Sequence, residues 1–481
     1  MSRCPDVPSP DVPMSRGPEV PSPEFPVPFP WYPAMRLPVR WLSVTLAAAL
    51  ASSGAGAQSK GLELPPIRQL GAVTATATEK LGLVNNIRAL SDGRVYVNDP
   101  MGRRVILFDA GLQTFTIVAD SLGANGNTYG RVAGLIPSRG DSTLLVDPQS
   151  LSMLVLDPAG KVARVMSVPN AQDAMSFAGA LGGSVMDSQG RLVYRGAPRF
   201  EFRGMGPAAG GPPPIPDMPD SAAIFRIDLT TRKIDTVAYI KTPKIKMNTT
   251  QDTNGGVRMV SEINPLPVVD EWALVSDGSV AIVRGRDYHI DWVNADGSRT
   301  SSPKIPFEWQ RLSDEDKVAF IDSVKAARER MGANAPQIAT AGGGNQARNA
   351  PPPGMDAGPQ VMIFRGPPGE GGRPNAGGAT GTANVTPQLN FVAPSELPDY
   401  KPVFLNGFVR ADLDGNVWVR TIPTKPMTGG PVYDVVNRKG ELIERVQVPV
   451  NRSITAFGPG GVVYLTTRDG MTTKLEKATI R

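Results

Sequence analysis

Six times along the chain, a glycine, usually preceded by Asp or an equivalent turn-former, is followed by a short β-branched run. The copies are Asp92-Gly93-Arg94-Val95-Tyr96-Val97, Gly140-Asp141-Ser142-Thr143-Leu144-Leu145-Val146, Gly190-Arg191-Leu192-Val193-Tyr194, Asp277-Gly278-Ser279-Val280-Ala281-Ile282-Val283, Asp414-Gly415-Asn416-Val417-Trp418-Val419 and Gly460-Gly461-Val462-Val463-Tyr464-Leu465. Asp-Gly is expected to supply the positive-φ positions of a tight turn, and the residues after it suit a pleated, half-buried strand. A second hairpin signal follows within most copies, such as Val105-Ile106-Leu107-Phe108 before Ala110-Gly111, or Tyr433-Asp434-Val435-Val436 before Lys439-Gly440. Two hairpins make an antiparallel meander, which buries too little apolar surface to stand alone and must stack on its neighbours.

Where no insertion intervenes, the copies recur about every 45 to 50 residues, the length of one four-stranded propeller blade. The expected fold is therefore all-β, a six-bladed β-propeller of four-stranded antiparallel blades. The last copy runs out of chain after Met471-Thr472-Thr473-Lys474-Leu475, and Ile67 to Thr76 precedes the first copy as a strand without a partner. That N-terminal strand is expected to complete the last blade and close the ring. Two β-sandwiches are the competing architecture, and the repeated turn positions disfavour them.

Residues 58–481 carry this pattern, and the chain before them reads differently. Residues 35–57 place Arg36 and Arg40 ahead of an apolar stretch from Trp41 to Ala51 and a small-residue end, Ala55-Gly56-Ala57. This is the pattern of a signal peptide cleaved near Ala57-Gln58, and the competing reading is a buried helix. Residues 1–34 are crowded with proline and are expected to be a disordered leader or a mis-called start, with Met35 the initiator. The single cysteine, Cys4, lies ahead of the proposed cleavage. The expectation is a secreted or periplasmic monomer with no disulfide and no transmembrane segment after cleavage. A net charge of +5, spread along the chain rather than clustered, argues against a nucleic-acid partner.

Two insertions interrupt the repeat. Residues 203–219 form a Gly/Pro-rich loop in the third copy. Residues 308–386 lie between the fourth and fifth, opening with an amphipathic helix from Ser313 to Met331 and continuing as a Gly/Pro-rich arm from Gly332 to Thr386. Ser313 is the expected N-cap, with Asp314, Glu315 and Asp316 in the first turn. Val318, Ile321, Val324 and Lys325 fall on one face, flanked by Phe320, Ala327 and Met331. That face either packs on the propeller rim or belongs to a lid or docking arm over the channel.

The chemistry inventory is thin. With His289 the only histidine, multi-histidine metal sites are disfavoured. Alternation puts Tyr288, Ile290 and Trp292 on one face of its strand and Asp287, His289 and Asp291 on the other, which suits a structural or surface histidine. Propeller ligands bind where inner strands begin. The candidate ligand-binding residues at such positions are Asn85, Asn86, Arg88, Arg131, Glu262, Glu271, Arg284, Arg410, Asn451 and Arg452. The arginines favour an anionic ligand. The oxygen donors among them, with Asn264, are the candidates for a Ca²⁺-type ion. No cofactor is otherwise expected, and no metal ligand is assigned.

The Asp-Gly-x-Val-x-Val repeat, Pro306-Phe307-Glu308-Trp309, and Leu397-Pro398-Asp399-Tyr400-Lys401-Pro402-Val403-Phe404 leading into Asp412-Leu413-Asp414-Gly415-Asn416-Val417-Trp418-Val419-Arg420 resemble uncharacterised secreted bacterial six-bladed β-propellers. These are similar in turn to NHL-repeat and lactonase-like propellers. The resemblance covers residues 65–481 and implies the fold; no catalytic residue is carried over. The leading functional expectation is a ligand-binding or protein-interaction scaffold with its ligand at the channel mouth. The partner would be a small molecule, a polysaccharide or an envelope protein. A metal-dependent lactonase or esterase and a structural envelope docking protein are the alternatives.

Overall fold

The computed structural model describes residues 64–84, 86–122, 128–130, 133–179, 183–197, 219–251, 257–333, 388–425, 427–470 and 472–481. The sequence-predicted leader and signal peptide, nearly all of the 203–219 loop, the arm beyond Ala333, and the candidates Asn85 and Arg131 lie outside them.

Each glycine-led run is the second strand of a four-stranded antiparallel blade, and there are six blades. Blade 1 comprises Asn86–Ala89, Val95–Asp99, Arg104–Phe108 and Phe115–Asp120, and blade 2 Gly134–Pro137, Thr143–Asp147, Ser152–Leu156 and Val162–Ser167. Blade 3 comprises Val185–Met186, Arg191–Arg195, Ser221–Asp228 and Ile234–Lys241, and blade 4 Glu271–Leu274, Val280–Arg284, His289–Val293 and Arg299–Ser301. Blade 5 comprises Val409–Ala411, Val417–Arg420, Val432–Val436 and Leu442–Gln447, and blade 6 Arg452–Gly458, Val462–Asp469 and Thr472–Thr479.

The N-terminal segment closes the ring, but as two strands rather than one. Val73–Thr76 is the fourth strand of blade 6, antiparallel to Thr472–Thr479. Ile67–Gln69 runs parallel to Leu442–Gln447 as a fifth strand on blade 5. Between them Gly71 donates its N–H to the Thr479 carbonyl at 3.1 Å. A Cβ there would lie 2.6 Å from that oxygen, so only glycine lets the strands approach this closely.

The turns differ from the sequence expectation in one respect. Gly93, Gly190, Gly278 and Gly415 have φ between +78° and +87°, while the Asp before the glycine in three of these turns does not have positive φ. The Gly93 N–H bonds to Leu90 O at 3.1 Å and the Leu90 N–H to Arg94 O at 2.8 Å, the pattern of a type I turn closed by a glycine bulge. The Asp acts through its side chain instead: Asp92 Oδ1 accepts from the Arg94 N–H at 3.0 Å.

Apolar clusters fill the spaces between blades, and several aromatic residues of the repeats sit in them with their polar ends paired across blades, whereas the buried Trp292 Nε1 has no partner among the described residues. Tyr96 of blade 1 donates to Asp157 O in blade 2. Tyr288 of blade 4 donates to Asp434 Oδ2 in blade 5 at 3.0 Å. Tyr288, Ile290 and Trp292 are buried as alternation required, and His289 lies on the other face between Asp287 and Asp291.

The chain between blades 3 and 5 carries structure the sequence reading missed. Lys246–Gln251, Val257–Ile263 and Gln388–Phe391 form a separate three-stranded sheet. Glu262 therefore does not open an inner strand: it sits opposite Lys246 in this sheet. The helix spans Asp314–Ala333, with a reciprocal cap in which Asp316 N–H donates to Ser313 Oγ and Ser313 N–H to Asp316 Oδ2. Its packed face is rotated from the expected one. Ile321 is buried with Leu266, Leu312, Val392 and Leu397, and Lys317 is buried with its ammonium on Asp399 at 2.8 Å, whereas Val318 and Lys325 are exposed. The lysine's buried stem and paired head supply contacts that hydrophobic periodicity does not register. Among the described residues no helix is long and apolar enough to cross a membrane.

Candidate ligand site on the loop-bearing face

Antiparallel register places the first residue of each inner strand beside the last residues of the second strand. Asn86 pairs with Asn98, Glu271 with Val283, Val409 with Val419 and Arg452 with Thr467. Both ends lie on one face, which also receives the described blade-to-blade connections and the strand ends that flank the two insertions. The glycine turns occupy the opposite face.

On the loop-bearing face three consecutive residues, Asn406, Gly407 and Phe408, hold charged side chains from three blades. Asn406 Oδ1 accepts from a terminal nitrogen of Arg195, the last residue of the second strand of blade 3, at 3.3 Å. The Gly407 N–H donates to Glu271 Oε1, at the start of blade 4, at 2.9 Å. The Phe408 ring lies under the guanidinium of Arg420, the last residue of the second strand of blade 5, with Cζ 4.6 Å from its centroid. Gly407 has φ +82°, which favours glycine and lets this short segment serve three partners.

Glu271 is buried. Burial raises its carboxyl to about 7, against the lowering effects of the Gly407 hydrogen bond and of Arg195 and Arg410. Arg195 is pushed down by burial and held up by Glu271, and its buried Nε has no hydrogen-bond partner among the described residues. Arg410 is exposed and uses its Nε on Ile454 O at 3.0 Å. The cluster thus sets two guanidinium groups, Arg195 and Arg410, beside one acid, with a third, Arg420, stacked on the neighbouring Phe408.

Of the sequence-predicted residues, this arrangement brings Glu271 and Arg410 together. Asn86 opens the inner strand of blade 1, and its buried Oδ1 has no partner among the described residues. Arg88 is a strut to blade 2, with Asp141 at 3.4 Å; burial lowers its pKa and Asp141 opposes this. Arg284 is held by Asp270 and Asp291, each at 2.7 Å. Asn451 occupies a turn with φ +61°, and Arg452 donates to Glu476 from Nε and Nη2 and to Val450 O from Nη1. Arg195 and Arg420, absent from the predicted set, carried a usable signal: each closes the β-branched run of its copy, as Arg284 does.

A depression of about 210 Å³ on the outer strands of blade 4 is lined by Arg284, Asp291, Arg299 and Ser301 among others. Most of its charged and hydroxyl groups are engaged, with Ser301 donating to Asp291 at 2.5 Å and Arg299 to Val237 O at 2.8 Å, while the buried Trp292 Nε1 has no partner among the described residues. It reads as structural bracing. Among the described residues no three His, Cys, Asp or Glu side chains are grouped to hold a metal ion. The oxygen candidates are dispersed over blades 1, 4 and 6 and the extra sheet. Glu271, flanked by two guanidinium groups, suits a cation poorly because those charges repel it.

No protein-family model matches the chain, and no curated protein matches it. Among solved structures, a gluconolactonase from Xanthomonas campestris is 11% identical, with 86% of this chain and 97% of that one covered and a TM-score of 0.35. Regucalcin, a calcium-binding protein from Agrobacterium tumefaciens, is 10% identical, covering 86% and 97%, with a TM-score of 0.37. A virginiamycin B lyase from Staphylococcus aureus is 11% identical, covering 83% and 81%, with a TM-score of 0.29. At these values neither residue roles nor activities transfer to this chain.

Proposed function

We propose that this propeller is a binding module for a small anionic ligand, a carboxylate or phosphate, taken between blades 3 and 5 by Arg195, Arg410 and Arg420. The observation that carries this reading is that two guanidinium groups, Arg195 and Arg410, act on one buried acid, Glu271, while the Asn406-Gly407-Phe408 segment ties Arg195, Glu271 and Arg420 together. Guanidinium forks match carboxylate and phosphate oxygens, and partial burial strengthens such pairs relative to open water. Glu271 keeps the arginines in place and competes with the ligand for them.

The test is calorimetric titration of the protein with citrate and with inorganic phosphate, at low and high salt, with and without Ca²⁺. Binding of either anion that weakens with salt, and falls at least about tenfold in Arg195→Met and Arg410→Met, supports the reading. Affinity unchanged in both variants removes it. A stoichiometric Ca²⁺ together with hydrolysis of gluconolactone would put a metal-dependent lactonase in its place.

A further inference from the structure

A second surface lies in the chain between blades 4 and 5, on residues the anion cluster does not use. Tyr288, Phe307, Trp309 and Tyr400 form a herringbone that runs from the core to solvent. Successive ring centroids are 5.8, 5.4 and 6.4 Å apart, with interplanar angles of 82°, 79° and 87°. Tyr288 is fully buried, whereas Trp309 and Tyr400 are 40% and 49% exposed. Their backbones are tied together: the Leu312 N–H donates to Asp399 O at 2.8 Å and the Lys401 N–H to Gln310 O at 2.9 Å. Two large rings are therefore presented to water at right angles and cannot readily collapse onto the protein.

Polar groups border the rings. Glu308 pairs with Lys425 at 3.0 Å, and both are well exposed. Asp399, paired with Lys317, has a side chain 78% exposed. Between Trp309 and the Arg311–Tyr400 bridge, Gln310 keeps a buried Oε1 with no partner among the described residues.

We propose that Trp309 and Tyr400 are a carbohydrate-binding platform for a β-linked sugar whose ring substituents are equatorial. Such a pyranose has flat C–H faces that lie against an aromatic ring, and peripheral hydroxyls that need both donors and acceptors. The right-angled pair offers one ring beneath the sugar and one at its edge, while Glu308, Lys425 and Asp399 supply hydrogen-bonding groups around it. The size of the patch also selects the partner: a specific protein interface needs roughly 800 Å² from each side, far more than two half-exposed rings present. A rigid ring-shaped ligand needs less, because it has little conformational freedom to lose on binding.

Titration of the full chain with cellohexaose and with chitohexaose, followed by calorimetry, tests this. Binding of at least one is expected, weakened at least about tenfold in Trp309→Ala and in Tyr400→Ala and largely kept in Trp309→Phe. Unchanged melting would show that the alanine variants fold, and unchanged citrate or phosphate binding would keep the anion site separate. No binding of either sugar at about 10 mM, or affinity unaltered by both alanine variants, overturns the proposal. So does binding at these rings of a Pro351-Pro352-Pro353 peptide in preference to the sugars, which would reassign them to proline-rich recognition.

Discussion

Blades 1 and 2 secure the junction between an incoming inner strand and the hairpin after the second strand with a buried carboxylate, whereas blade 4 puts an arginine in the same place. Asp99, fully buried, accepts from the N–H groups of Gly82, Leu83 and Gly102. Asp147 likewise accepts from Gly130, Gln149 and the Ser150 hydroxyl. Each lies five residues before the start of its third strand, as Arg284 does in blade 4. There the acid has moved to the incoming segment, where Asp270 takes the Gly285 and Lys241 N–H groups and Arg284. One further residue along that segment is Glu271, with the Gly407 N–H and the guanidinium groups of neighbouring blades for company. Asp99 and Asp147 are locked to nearby backbone, whereas Arg195 and Glu271 meet the Asn406-Gly407 segment across blades 3 to 5, and Arg195 keeps an Nε with no partner among the described residues. The first arrangement serves stability, and the second is the one the proposed anion site draws on.

The sharpest way to break this contrast is Asp99→Ala, which strips the acceptor from three backbone donors. It should destabilise the fold by about 4 kcal/mol, read as a lower urea midpoint at unchanged m-value. A smaller loss than that of Lys233→Ala would show that blade 1 is not held by this carboxylate.

The next effect is a pH dependence. Glu271 is raised from 4.5 to about 7, and Asp434, buried against Tyr288 and Arg445, from 3.8 to about 6. Because both bind their proton more tightly folded than unfolded, each contributes stability that is full below about pH 4 and lost as pH rises through 6 to 7. For Glu271 the swing is on the order of 3 kcal/mol. Glu271→Gln should erase it, so that variant and parent converge near pH 4 and the variant is the more stable at pH 8. Parallel stability curves would count against a buried, proton-holding Glu271. The same variant should bind citrate more tightly, since a competing negative charge is gone.

Arg195→Met sharpens the contrast from the other side. Removing a cation from beside the buried Glu271 leaves that acid less compensated, so Arg195→Met should cost on the order of 3 kcal/mol at pH 8 and less at pH 5, where Glu271 holds its proton, while anion binding falls at both. An equal loss at the two pH values would make Arg195 a structural residue independent of Glu271. The smallest effect belongs to Lys233→Ala, whose pairing with Asp235 is exposed on both sides; about 0.5 kcal/mol or less is expected from equilibrium unfolding.

The fold was legible because its determinants are local. A glycine turn and a β-branched run repeat six times, and the shortage of one strand at the C-terminus pointed to the N-terminal strand that fills it. The helix was legible through its cap, but not its packed face, which depends on Lys317 meeting Asp399. The site was only partly legible. Strand position picked out Glu271 and Arg410, but the same rule picked Arg88, Arg284 and Arg452, whose acidic partners Asp141, Asp270 and Glu476 lie on other turns and strands. Whether an arginine is spent on a partner or available to a ligand is settled by tertiary proximity, which spacing along the chain does not encode. The extra sheet escaped because its third strand, Gln388–Phe391, joins it from far along the chain.

The two-strand clasp has a bearing on how the molecule is made. Arg68 donates to the Ile480 carbonyl 412 residues away, and Val73–Thr76 pairs with the last strand of the chain. During synthesis Val73–Thr76 must wait, its edge unsatisfied, until Thr472–Thr479 has left the ribosome. Ring closure is then a late, long-range step, and the waiting edge is the place where a nascent chain meets another nascent chain or a chaperone.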